Sequence, residues 1–225
     1  MHIPDGFVSG SVNAATGAAA LGFCALALAR ADRTLGEKQV PLLGVTSAFI
    51  FAAQMLNFPV ACGTSGHFLG ALLAAILLGP LNACLVMTVV LVIQCLGFAD
   101  GGVTALGSNV FNMGIVGGVG SYYVFRLLQA VLPRTRASFL AAAAVSAWVS
   151  VVLAALCCAV ELGVSGTVPL KVAISGMVGV HALIGVGEAI ITVAVASTVL
   201  GVRPDLIGAW RPVQAVELRG AALNG

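Results

Sequence analysis

The sequence predicts an all-α integral membrane protein of seven transmembrane helices, the third of them short, with its N-terminus outside and its C-terminus cytoplasmic. Three observations carry this: the scarcity of charge, the length of the apolar runs, and the clustering of the basic residues. Ten basic and eight acidic side chains amount to 8% of 225 residues, against about 25% in an ordinary soluble domain. Apolar residues make up 60%, and mean hydropathy is +1.11. A soluble fold cannot cover its surface with so few charges, so composition excludes a soluble enzyme, a nucleic-acid binder and a disordered chain. A transmembrane β-barrel needs alternating segments of about ten residues, and the runs here are unbroken and longer.

At about 20 apolar residues per crossing, spans fall at 10–29, 41–57, 81–97, 105–125, 138–160 and 172–200. A further run at 68–79 is short and ends at Gly79-Pro80. The cations decide whether it crosses. Arg30, Arg33 and Lys38 follow the first span, Arg126, Arg134 and Arg136 precede the 138–160 span, and Arg203, Arg211 and Arg219 lie in the tail. If 68–79 crosses, these all fall on one side, with only Lys171 opposite, as the positive-inside bias prefers. A helix that short ends inside the protein, so its free backbone groups need partners there. The chain reads as one membrane domain over 1–225: an N-terminal segment 1–9, a helix bundle 10–200 and a tail 201–225. Met1-His2-Ile3-Pro4 does not look like a cleavable signal, because no charged stretch precedes the first span.

Six cysteines (Cys24, Cys62, Cys84, Cys95, Cys157, Cys158) show no CxxC or zinc-type spacing, and in apolar runs free Cys behaves as a small hydrophobe. The histidines are more telling. Of His2, His67 and His181, the predicted topology brings His2 and His67 to the outer side. A free α-amine, the next amide nitrogen and an imidazole can wrap one metal ion in fused chelate rings. Met1 and His2 supply all three, and His67 offers a fourth nitrogen. An all-nitrogen planar set suits Ni(II) or Cu(II), with Co(II) a plausible relative. The amine and imidazoles bind only after losing their protons, so metal capture weakens as pH falls. Asp5-Gly6 allows a turn that folds the terminus inward.

The opening Met1-His2-Ile3-Pro4-Asp5-Gly6-Phe7 resembles the N-terminal signature of the CbiM/NikM family. Gly66-His67 matches that family's second histidine region, and Ala105-Leu106-Gly107-Ser108-Asn109-Val110-Phe111-Asn112-Met113-Gly114 resembles its asparagine-rich helix. Family members are the substrate-specific (S) components of energy-coupling-factor (ECF) transporters for cobalt and nickel, with seven helices and an outer N-terminus. The resemblance implies metal held by Met1, His2 and His67, the same set the chelate argument selects. It implies a transported Co2+ or Ni2+ and no permanently bound cofactor. It also implies partners: a transmembrane coupling (T) subunit, ATP-binding cassette ATPases and a small accessory membrane subunit, all in the cytoplasmic (inner) membrane of a prokaryote. After Phe7 the family commonly continues with Leu and prolines, where this chain has Val8-Ser9-Gly10-Ser11. Nickel members often carry fused extra membrane segments, so the chain's length leans the expectation to cobalt.

Other residues are candidates for supporting roles. Asn57, Thr64, Ser65 and Asn109 can orient metal ligands. Ala14, Ala15, Ala18 and Ala19 form a small-residue face of the kind that docks the coupling subunit in S components. Cys62 is expected to pack rather than ligate. His181 and Glu188, seven residues apart on the last helix, either brace the bundle or relay protons in a self-sufficient proton-coupled metal carrier. Neither Lys38 nor Lys171 belongs to a GxxxxGK[ST] loop, so no P-loop ATPase is expected here: the chain reads as a transport subunit, not an enzyme.

Overall fold

The computed structural model describes residues 1–34, 36, 39–59 and 65–210. The helices are α1 (Gly10–Thr34), α2 (Gln39–Gln54), α3 (Ala71–Leu78), α4 (Pro80–Phe98), α5 (Leu106–Val110), α6 (Ser121–Val131), α7 (Arg136–Val164) and α8 (Leu170–Val202). A π-helix, Phe111–Gly120, joins α5 to α6. Backbone angles stay right-handed helical at both junctions, so α5 to α6 is one rod and the helical rods number seven among the described residues. Two-residue strands β1 (Phe58–Pro59) and β2 (Ser65–Gly66) pair antiparallel between α2 and α3. Among the described residues four helices, α1, α4, α7 and α8, are long and apolar enough to cross a membrane. Large apolar side chains point outward from them, with Leu21 74% and Leu183 77% exposed. That pattern suits contact with lipid tails.

The third apolar run is less helical than its length suggests. At eight residues, α3 is about 12 Å long, well short of a hydrocarbon core of about 30 Å. All eight residues are buried, which isolates its ends from water. Both ends nevertheless find partners. Glu188 of α8 accepts from the Leu69 and Gly70 amides at 2.7 Å each. At the other end, the Gly208 and Ala209 amides donate to the Leu77 and Ile76 carbonyls at 3.1 Å. Gly70 sits at φ +73, and a Cβ there would lie 2.7 Å from Ile50 Cγ1, so only glycine fits both the backbone and the space.

Hydrogen bonds fix which ends meet. The Ser9 amide donates to Ser165 Oγ at 2.9 Å, placing the start of α1 beside the end of α7. Arg136 donates to the Ser197 carbonyl at 2.7 Å, placing the start of α7 beside the end of α8. The α3 C-terminus lies at this second end, next to the segment that follows α8. Phe125, Phe139 and Trp210 stack edge to face there, with ring centroids 5.2 and 5.1 Å apart. The first end gathers residues 1–9, the α4 C-terminus and the α7 C-terminus.

Candidate metal centre

The N-terminal segment is built into the protein. Met1 and Ile3 are fully buried and His2 is 3% exposed. Asn109 of α5 grips Ile3 twice: its Oδ1 accepts from the Ile3 amide at 2.8 Å, and its Nδ2 donates to the Ile3 carbonyl at 3.2 Å. The Gly102 amide donates to the same carbonyl at 2.8 Å. A Cβ on Gly102 would come within 2.3 Å of the Asp5 amide nitrogen, so glycine is what allows the two backbones to lie together. Asp5 Oδ1 accepts from the Thr104 amide and hydroxyl at 2.7 and 2.6 Å, and those bonds hold its carboxyl below the usual range. The Thr167 hydroxyl donates to the Phe7 carbonyl. Pro4-Asp5-Gly6, with Gly6 at φ +80, makes the turn that sends Met1 inward.

Two imidazoles meet at the end of this segment. The His2 and His67 rings stack with centroids 4.5 Å apart and planes 18° apart. His67 Nδ1 donates to the Phe68 carbonyl at 2.7 Å, which leaves the lone pair on Nε2. That nitrogen is buried with no hydrogen-bond partner among the described residues. His2 Nε2 donates to Gln94 Oε1 at 3.1 Å, leaving its lone pair on Nδ1, the nitrogen that closes a six-membered chelate with its own amide. His2 Nδ1 also lies 3.0 Å from Asp100 Oδ1. A lone pair facing a carboxylate is favourable only when a cation, proton or metal, is shared between them.

Electrostatics keep these donors neutral. Burial lowers the Met1 amine from 8.0 to about 5, although Cys158 and Asp100 pull the other way. Burial also lowers His2, against the opposing contact with Asp100. His67 is held well below 6.5 by burial, then by the nearby amino terminus and His2, with a smaller contribution from His181. Burial pushes Asp100 up, but the His2 contact, the amino terminus and a 3.2 Å hydrogen bond from Asn57 outweigh it, and the net shift is downward. At neutral pH the centre therefore offers unprotonated nitrogens beside one carboxylate. Among the described residues no group of three or more His, Cys, Asp or Glu side chains converges as a metal cage, so a metal centre here depends on main-chain donors.

The other sequence candidates divide. Asn109 contacts the Ile3 main chain, and Asn57 reaches the centre only through Asp100. Thr64 and Cys62 lie outside the described residues, and Ser65 forms the β2 rung opposite Pro59. Ala14, Ala15, Ala18 and Ala19 are exposed on α1. His181 Nδ1 donates to the Met177 carbonyl at 2.7 Å, and Glu188 is spent on main-chain amides. The 138–160 span predicted from the sequence stops short of Glu161; α7 runs on to Val164 and makes Glu161, 7% exposed, a second buried carboxylate within a helix. Its Oε2 accepts from Asn112 at 2.7 Å. Asp100 and Gln94 were missed, although an acid among only eight and a glutamine inside an apolar run are both unusual enough to flag.

Fold and site together define a helical membrane protein that tucks its own amino terminus against two stacked imidazoles at one end of the bundle. Residues 2–206 match the CbiM family, described as the cobalt uptake substrate-specific transmembrane region. A putative fused nickel transport protein NikMN of Archaeoglobus fulgidus is 44% identical, over 92% of this chain and 68% of its own. A cobalt transport protein CbiM of Sorangium cellulosum is 32% identical, over 92% and 94%. A crystal structure of a truncated transition metal transporter superposes with TM-score 0.82 at 35% identity, covering 89% of this chain and 99% of that one. The chain belongs to the CbiM family, and it is a membrane component of cobalt or nickel transport.

Proposed function

We propose that the chain is the substrate-binding subunit of an ATP-driven, ECF-type importer of Co2+ in a prokaryotic inner membrane. It captures the ion from outside with the Met1 amine, the His2 amide and imidazole, and the His67 imidazole. The observation that carries this reading is the buried His67 Nε2, without a hydrogen-bond partner among the described residues, on a ring stacked beside His2. The rings are near-parallel, so loading swings His67 until its Nε2 enters the plane of the other three nitrogens. No covalent chemistry is required of the chain: transport is capture at a dry outer site followed by dismantling of that site. Undocking residues 1–9 is one movement that achieves both.

In this reading all seven rods cross the bilayer, α3 with the help of its non-helical lead-in. Arg134, Arg136 and Arg203 lie at or beyond the helix ends opposite the metal centre, which supports a cytoplasmic assignment for that end. A T subunit docked on the exposed Ala14, Ala15, Ala18 and Ala19 face, separate ATPases and a small accessory membrane subunit complete the importer. Nickel is the second reading, favoured by the all-nitrogen donor set and by the name of the 44% identical relative.

Metal retention by the purified chain, measured after expression in balanced cobalt and nickel, tests capture and ranks the two ions. His67→Ala abolishes retention and His181→Ala does not. Uptake in vesicles containing the whole importer requires ATP. Uptake without ATP, driven by a proton gradient, overturns the ECF reading in favour of a self-sufficient carrier.

A further inference from the structure

Glu188 lies mid-way along α8 and is 1% exposed. An ion pair would be the ordinary way to keep a carboxylate there, yet among the described residues no cation pairs with it. Its two oxygens instead accept main-chain hydrogen bonds, Oε2 from Leu69 and Oε1 from Gly70, both at 2.7 Å. These amides follow His67 by two and three residues, and that of Gly70, the N-cap residue, is among the free donors at the start of α3. From the opposite side, Gln54 Nε2 of α2 donates to the Leu69 carbonyl at 2.7 Å. The Phe68 carbonyl between them receives His67 Nδ1. An unbroken chain of short bonds therefore runs from an α8 carboxylate, through four residues of non-helical backbone, to the imidazole. Gly70, left-handed and packed against Ile50, is what allows the backbone to take this path.

We propose that Glu188 is a positioning residue for His67, fixing the loop that presents the fourth nitrogen to the metal. The inference rests on the Met1, His2 and His67 reading. Glutamine has the same shape but only one acceptor oxygen, so Glu188→Gln turns an amide NH2 toward a main-chain N–H. One leg of the clamp is lost without a change in volume.

The test uses the full chain in detergent with Cu2+ as probe, because electron paramagnetic resonance separates four-nitrogen from three-nitrogen coordination. The expected result is that Glu188→Gln binds Cu2+ about 10- to 100-fold more weakly, with the three-nitrogen spectrum of His67→Ala. A merely structural role lowers thermal stability but leaves the bound fraction with the wild-type spectrum; that result, or unchanged affinity, overturns the proposal. If the glutamine variant does not fold, Glu188→Asp decides. Weakened binding with a three-nitrogen spectrum supports the proposal, and wild-type affinity and spectrum overturn it. If wild type and His67→Ala give the same spectrum, the His67 reading itself fails instead.

Discussion

Replacing Asp100 by asparagine keeps the size of the side chain and its contact with Asn57 but removes the one carboxylate facing the candidate donors. His2 Nδ1 stands 3.0 Å from Asp100 Oδ1. With the two atoms that close, an ion seated on the nitrogen at about 2 Å requires the carboxylate to draw back; at ~4 Å from the ion, opposite unit charges attract by about 4 kcal/mol at an effective dielectric of 20. A divalent ion bound to a deprotonated amide presents a net charge near one, so that figure is the ceiling. The Asp100 side chain is 18% exposed, and solvent reduces the gain. The expected loss is about 10- to 100-fold in affinity, the range found when a group supporting a metal ligand is removed. Competition against a chromogenic chelator at pH 7 and fixed ionic strength measures it. Affinity within twofold of wild type, or tighter, refutes a cation at His2 Nδ1.

Other expectations follow from the same geometry. Binding that displaces the His2 amide proton strengthens tenfold per pH unit, and becomes steeper below the point where the free amine is protonated. With the Met1 amine at about 5, that break in a plot of log affinity against pH falls near 5; a break near 8 means the amine is not buried as described. Asn109→Ala strips two hydrogen bonds from Ile3. At about 1 kcal/mol each, plus the penalty of a stranded buried group, protection of the Ile3 amide from hydrogen exchange falls roughly 30- to 150-fold, and unchanged exchange argues against the clamp. Leucine at Ala15 and Ala19 together reduces co-purification with the coupling subunit, and full recovery eliminates that face as the docking surface.

Much of this was legible in the sequence because it is local or compositional. Apolar run length located every rod, and the turn at Asp5-Gly6 announced an inward terminus. What escaped reading depends on tertiary return. Asp100 and Gln94 reach His2 because α4 climbs back to the end where the chain began, and no periodicity links position 2 to positions 94 and 100. The extent of α3 was misjudged because Phe68 and Leu69 are as apolar as the helix after them, while Gly70 in the left-handed region stops the helix from starting earlier. Glu188 drew attention as an acid in a span; its role depends on two main-chain amides, which carry no sequence signature. The π-helix through Phe111–Gly120 is equally silent in composition.

The most direct test of an amino-terminal chelate displaces the α-amine while keeping both imidazoles. A single glycine placed before Met1 carries the α-amine away from His2 and keeps both imidazoles in the chain, and because Met1 is fully buried an unchanged melting temperature is the check that the bundle stays intact. The expected result is a folded protein that no longer retains Co2+ or Ni2+ through purification. Retention equal to that of the native chain would contradict the amino-terminal chelate outright.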